Sequence, residues 1–278
     1  MDDRRSPDHP TDLDEYLFDL RGYVVLEGAL DPDLVDQLNE AVDPAIGQDP
    51  GTWYRNAHRT GGDGETDLAD VQQVYELPPW EQLIAHPSWI AYVKRFVGNQ
   101  DDFDAHHGPV YIDENFVRSV PTGNGTPIHS GGHKRTKRTQ YRYHNHDFHC
   151  GQVNVLVALT DVGPGDGATM AVPGSHKQNL EPPFFDDVRG DTLEDVPGAE
   201  EIHLDAGDAL LFVDCLMHGS ATRTTPGHRR FAVFRYGPSW GVSRHGYAPS
   251  DALLERLSDE ERAIVKTWGT VEPKTPDT

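Results

Sequence analysis

Apolar and polar positions divide this 278-residue chain into a helical first third, a β-rich middle and a short helical end. Residues 11–21 (TDLDEYLFDLR) read as a short amphipathic helix, and the Val/Leu-rich run at 22–30 (GYVVLEGAL) predicts a strand. Asp31 then caps a helix with Pro32 at its first position and Leu34, Val35, Leu38 and Val42 along one face. A Gly- and Asp-rich stretch from Gly61 to Asp67 reads as a mobile loop. Helical signals return at 78–98 (PPWEQLIAHPSWIAYVKRFVG), with Gly98 as C-cap.

Beyond residue 103 the texture changes to short β-branched and aromatic runs between Gly/Pro turns: VYIDENFV, CGQVNVLVALTDV, TMAVPG, EIHL, DALLFVD and RRFAVFRYG. Many short strands without intervening helices favour an antiparallel sandwich or jelly-roll barrel. VNVLVAL is apolar throughout, the pattern of a strand buried on both faces. Ser258 and Glu261 form a capping-box pattern that opens a last helix, DEERAIVKTW, and the final EPKTPDT reads as disordered. The chain is therefore read as one domain, mainly β with flanking helices: N-terminal helices over 11–100, a β core over 103–240 and C-terminal helices over 249–270.

Composition narrows the function. A net charge of −22 argues against nucleic-acid polymers and anionic membranes, both of which need a broad positive field. Mean hydropathy is −0.63, and no apolar run approaches the roughly 20 residues that span a bilayer. The start MDDRRSPDHP does not resemble a signal peptide, so a cytoplasmic location is expected. Cys150 and Cys215 lack disulfide or zinc spacing and read as small buried hydrophobes. The 15 histidines are more telling, because they crowd between His106 and His228.

Candidate chemistry sits in separated segments that a barrel mouth can bring together: His129 in PIHSGGH, the run PGSH at 173–176, GDALLF at 207–212, His218 in HGS, and Arg229. Two histidines and a carboxylate form the facial triad that leaves iron(II) three positions for co-substrate and O2. Arginine suits the far carboxylate of 2-oxoglutarate because its planar fork binds carboxylates bidentately. Arg229 follows His218 by eleven residues, and Arg230 is its alternate on the opposite face of the strand. His144 and His146, two apart, form a rival pair and are candidate cavity lining. His176 reads as structural.

The run DVGPGDGATMAVPGSHKQN, followed by GD, HGS and the trailing arginine, resembles the phytanoyl-CoA dioxygenase superfamily over roughly residues 15–240. That resemblance implies a double-stranded β-helix (cupin-like jelly roll), iron(II), 2-oxoglutarate and O2, with His129 and His218 as metal ligands and Arg229 on 2-oxoglutarate. The family's first motif is His-x-Asp or His-x-Glu, yet Gly131 stands two positions after His129.

His-x-Gly is similar to the pattern of iron/2-oxoglutarate halogenases, in which a chloride takes the carboxylate's place on the metal and is transferred to the substrate radical. Chloride is then a further cofactor, and the amides of Ser130, Gly131 and Gly132 form a candidate halide nest. The alternative is a hydroxylase in which Asp147, or the Asp113–Glu114 pair, completes the triad. A non-catalytic binding barrel is the third reading.

Lys134, Arg135, Lys137, Arg138 and Arg142 concentrate positive charge just after the first ligand, in a strongly acidic protein. A small anionic substrate is expected, with phosphate the leading group. In combination, these features resemble a nucleotide halogenase acting on C2′ of 2′-deoxyadenosine monophosphate in nucleoside-antibiotic biosynthesis. Tyr141, Tyr143, Phe148 and Trp240 are the candidate aromatics for stacking on a base.

Overall fold

The computed structural model describes residues 9–61, 67–98, 110–136, 138–183, 196–239 and 247–265. Lys137, Trp240, most of the 61–67 loop and the final EPKTPDT lie outside the described residues.

In chain order the elements are α1 (Asp12–Arg21), β1 (Tyr23–Leu26), α2 (Pro32–Ile46), β2 (Trp53–Tyr54), β3 (Ala57–Arg59), β4 (Ala69–Gln72), α3 (Ile90–Val97), β5 (Tyr111–Pro121), β6 (Thr126–His129), β7 (Tyr143–His144), β8 (Asp147–Phe148), β9 (Val153–Ala158), β10 (Thr169–Val172), β11 (Glu200–Ile202), β12 (Ala209–Val213), β13 (Met217–Ser220), β14 (His228–Gly237), α4 (Asp251–Arg256) and α5 (Asp259–Val265). Short 3-10 turns at Val74–Glu76, Trp80–Leu83, Gly132–Lys134 and Ser175–Lys177 link them.

The helices start where the side chains satisfy free amides. Thr11 and Asp14 form a reciprocal capping box on α1. Asp31 accepts from the Asp33 amide, with Pro32 opening α2. The helical run read over 78–98 is broken, because Pro87 disfavours helical backbone at His86; a 3-10 turn and α3 replace it. Of the run 22–30, only Tyr23–Leu26 is strand. Gly98 is needed for close approach: a Cβ there would lie 1.9 Å from the Phe148 carbonyl oxygen.

An eight-stranded antiparallel sheet of order β1-β12-β9-β14-β5-β4-β3-β2 faces a four-stranded one of order β11-β10-β13-β6, and β7 and β8 pair separately. This is the cupin-like jelly roll expected. The extension β4-β3-β2 was not legible, because its strands are two to four residues long.

Alternation sorts the large sheet's two faces. Val24, Leu211, Val155 and Phe234 share one register row and pack towards the helices, where Trp89 Nε1 donates to the Tyr236 hydroxyl at 3.2 Å. Phe18 of α1 stacks on Phe96 at 3.7 Å. β9 is buried at every position, as its apolar run predicts.

The opposite face, turned to the small sheet, carries Asn154, Arg229, Arg235, Glu114 and Arg118 among Leu156, Phe231 and Val233. Polar groups that face the interior of a jelly roll mark where its chemistry sits. Among the described residues no helix is long and apolar enough to cross a membrane.

The PGSH segment is a clasp. Ser175 Oγ accepts from the buried Met217 amide at 2.7 Å, the Gly174 amide donates to the Arg21 carbonyl at 3.1 Å, and His176 Nε2 meets the Asp19 carbonyl at 3.1 Å. His176 is thus structural and ties the start of β13 to α1. Ser175→Ala is expected to cost about 1–3 kcal/mol by orphaning the Met217 amide, measured as a lower denaturant midpoint, and to weaken metal binding through the adjacent His218.

Candidate metal centre

His129 ends β6 and His218 lies in β13, and the two are direct register partners across the small sheet. Their ring centroids are 4.1 Å apart, inclined at 56°. Each ring is oriented by the chain two residues upstream: His129 Nδ1 donates to the Pro127 carbonyl at 2.8 Å, and His218 Nδ1 to the Leu216 carbonyl at 2.7 Å. An Nδ1–H so engaged makes Nε2 the lone-pair nitrogen, the tautomer a metal needs. Burial lowers both imidazoles below the ordinary histidine range, His218 most strongly, with His129, Arg235 and Arg138 adding to the effect. Phe212 meets His218 edge-on at 4.7 Å.

Arg229, on β14, is buried and donates to the Gly167 carbonyl and, at 2.8 Å, to Thr169 Oγ1; its Nε has no partner. Burial and the nearby Arg118 and Arg223 cations lower its pKa, but a guanidinium stays charged at neutral pH. Thr169 pairs with Ser220, two residues along β13 from His218. That is roughly 7 Å of strand, a span that a five-carbon dicarboxylate bridges. A buried cation with a spare donor, anchored on that neighbouring residue, has the chemistry that binds the far carboxylate of 2-oxoglutarate. Arg230 points to the other face and pairs with Asp43 at 2.8 Å and Asn39.

Around the pair lies a polar cluster that the sequence pattern did not reveal. Asp214, in the β12–β13 turn, accepts from Asn154 Nδ2 at 3.3 Å. Arg138 Nε and Arg235 Nη1 approach its carboxylate at 3.5 and 3.9 Å. Asp214 and Asn154 are almost fully buried. The signal available was parity: Leu210, Phe212 and Asp214 alternate onto the inner face.

The third-ligand position departs from expectation. Among the described residues no cluster of three His, Cys, Asp or Glu side chains could hold a metal. Asp147 pairs with Arg95 at 3.0 Å beside the β7–β8 hairpin. Glu114 is engaged with Arg235 at 3.2 Å and Gln72, and Asp113 with Gln152.

Gly131 does not open a void. Its φ is +106°, and a Cβ there would meet His133 Nδ1 at 2.6 Å and Gln178 Nε2 at 3.1 Å. Of the candidate halide nest of Ser130, Gly131 and Gly132, the Gly131 amide already donates to the Cys215 carbonyl at 3.1 Å.

The remaining candidates separate. His144 and His146 lie exposed on the β7–β8 hairpin rather than in the cavity. Lys134, Arg135 and Arg142 are exposed, Arg138 faces Asp214, and Lys137 lies outside the described residues. Tyr141 and Phe148 pack near Phe18, Phe148 being buried, and Tyr143 is half exposed against Phe148.

The sequence profile of the phytanoyl-CoA dioxygenase (PhyH) family matches residues 18–231. A dioxygenase of Penicillium canescens, olcK, is 25% identical over 257 residues, covering 90% of this chain and 78% of that one. An iron/alpha-ketoglutarate-dependent dioxygenase of Penicillium thymicola, penM, is 26% identical and covers 78% and 65%. The crystal structure of HygX from Streptomyces hygroscopicus, with nickel and 2-oxoglutarate bound, superposes with a TM-score of 0.68 at 22% identity, over 88% of this chain and 94% of that one. Profile, relatives and fold agree, and the chain belongs to the phytanoyl-CoA dioxygenase family.

Proposed function

We propose that this protein is an iron(II)- and 2-oxoglutarate-dependent oxygenase that hydroxylates a small anionic substrate. The observation that carries the reading is the facing His129–His218 pair, tautomers set by the backbone, with buried Arg229 held by Thr169, whose register partner Ser220 lies two residues from His218. Iron(II), with 2-oxoglutarate and O2, would supply the oxidising power. His129 and His218 would hold the metal through Nε2, and Arg229 with Thr169 would bind the distant carboxylate. Phe212 packs edge-on against His218, and Phe231 lies beneath the Arg229 guanidinium. Arg138 and Arg235 stand beside the pair with Asp214 and Glu114 as their counter-charges. That HygX binds 2-oxoglutarate, and in another structure hygromycin B as well, supports a co-substrate and small-molecule reading.

Chlorination is the second reading, kept for one observation: no third ligand joins the pair among the described residues. Against it stand the spent Gly131 amide, the His133 ring beside it, and relatives described as dioxygenases. Hydroxylation fits these findings better. The phosphorylated nucleoside, 2′-deoxyadenosine monophosphate, is a candidate substrate under either reading.

The decisive measurement is product mass. With substrate, succinate is expected together with a product heavier by one oxygen, in equal yield with and without chloride; a chlorinated product that disappears without chloride would reverse the order of the two readings. Arg229→Gln is expected to raise KM for 2-oxoglutarate about ten- to hundredfold while iron binding is kept, which titration of metal and co-substrate separately will check.

The histidine shifts set a pH dependence. Because burial lowers both pKa values, the imidazoles stay neutral below the pH at which exposed ones take up a proton. An exposed pair would lose roughly tenfold in metal affinity between pH 7.5 and 6. Here cobalt(II) affinity is expected to fall less steeply over that window than for an exposed pair, as read by calorimetric titration.

A further inference from the structure

A cleft of about 370 Å³ lies against the metal loop, bounded by Gly132, Arg135, Thr139, Gln140, Tyr141 and Arg142 on one side and by His176, Lys177, Gln178 and Asn179 on the other. This volume falls in the range of small-molecule sites, roughly 300–1,000 Å³. Its charge is anomalous for a chain of net charge −22.

Acidic side chains outnumber basic ones 46 to 24, and many arginines elsewhere are paired with them. Arg95, Arg118, Arg223, Arg230 and Arg235 each meet an Asp or Glu. Among the described residues, Arg135 and Arg142 meet none, although both line this cleft.

Lys177 adds a third cation over the Tyr141 ring at 5.5 Å, offset by Asp19 at 2.8 Å. Asp19 in turn accepts from the Tyr141 hydroxyl and is held below its ordinary pKa by Lys177 and Tyr141, against the desolvation that would raise it. Among the described residues that line the cleft or pair with its lining, Arg135, Arg142 and Lys177 against Asp19 leave two positive charges in excess, beside the side-chain amides of Gln140 and Asn179 and that of Gln178, which also meets His133 Nδ1 at 2.6 Å.

We propose that this cleft is a phosphate subsite that anchors the phosphomonoester of the substrate. Two guanidinium groups close on the phosphate oxygens, Lys177 adds a point charge, and Gln140, Gln178 and Asn179 offer amide donors to the oxygens that remain. Among the described residues no carboxylate meets Arg135 or Arg142, which leaves both guanidinium groups to an anionic ligand.

The subsite is coupled to the metal centre by one stretch of chain: Thr139 lines the cleft, and Arg138, one residue earlier, faces Asp214 and the histidine pair. Gly132 completes the junction, its backbone so close to the PGSH clasp that a Cβ would lie 2.4 Å from the His176 carbonyl oxygen. Binding of phosphate does not depend on the oxygenase reading; its meaning as a substrate anchor rests on it.

The test uses the full chain without metal, titrated calorimetrically at fixed ionic strength with adenosine 5′-monophosphate, adenosine and inorganic phosphate. The monophosphate is expected to bind at least about tenfold more tightly than adenosine or free phosphate, and Arg135→Ala/Arg142→Ala to weaken it by about tenfold or more. Arg55→Ala, an exposed arginine elsewhere, is expected to leave binding unchanged. Equal binding of monophosphate and adenosine, or undiminished binding by the double variant, overturns the phosphate subsite. Free phosphate binding as tightly as the ester overturns its role in anchoring an organic substrate.

Both arginines are exposed, so the double variant is expected to melt with the parent. Metal and 2-oxoglutarate titrations on the same samples read the oxygenase assignment independently: their success beside a failed phosphate titration rejects the subsite alone.

Discussion

The structure turns on one cross-strand pairing. His129 and His218 face each other because β6 and β13 are neighbours in the small sheet, in a register that puts both rings on its inner side. Each ring is pinned by a carbonyl two residues back, so the local chain selects the tautomer before any ligand arrives. A shift of one residue in either strand would turn a histidine to the opposite face. The clasp of Ser175 on the Met217 amide, just before His218, guards against that shift.

The interior opposite the pair is organised to carry charge. Arg118 and Arg235 are paired with Asp70 and Glu114 on the inner face of the large sheet, while Arg229 spends two donors on Gly167 and Thr169 and holds Nε in reserve. A buried charge needs such partners to offset its lost hydration.

Position 131 shows how a missing side chain can be read two ways. Glycine there removes a carboxylate from the family's usual place, which suggested space for a halide. The structure gives the glycine another reason: with φ at +106° the loop turns so that its Cβ direction leads into His133 and Gln178, and its amide closes on Cys215. A turn that no side chain tolerates selects glycine whatever the metal carries. The balance of readings moves accordingly towards oxygenation.

By itself the sequence determined the jelly-roll class, the capped helices α1 and α2 and the strand buried on both faces, and it singled out His129, His218 and Arg229 as candidates. These are legible because capping, alternation and apolar runs are local, and because motif spacing travels with the chain. Only the tertiary structure decided that Asp214, Asn154 and Arg235 surround the histidine pair, that His144 and His146 stay on the surface, and that the basic loop divides between Arg138 at the metal centre and Arg135 with Arg142 at a separate cleft. Those outcomes depend on which strands become neighbours and in what register, and no stretch of ten or twenty residues contains that information.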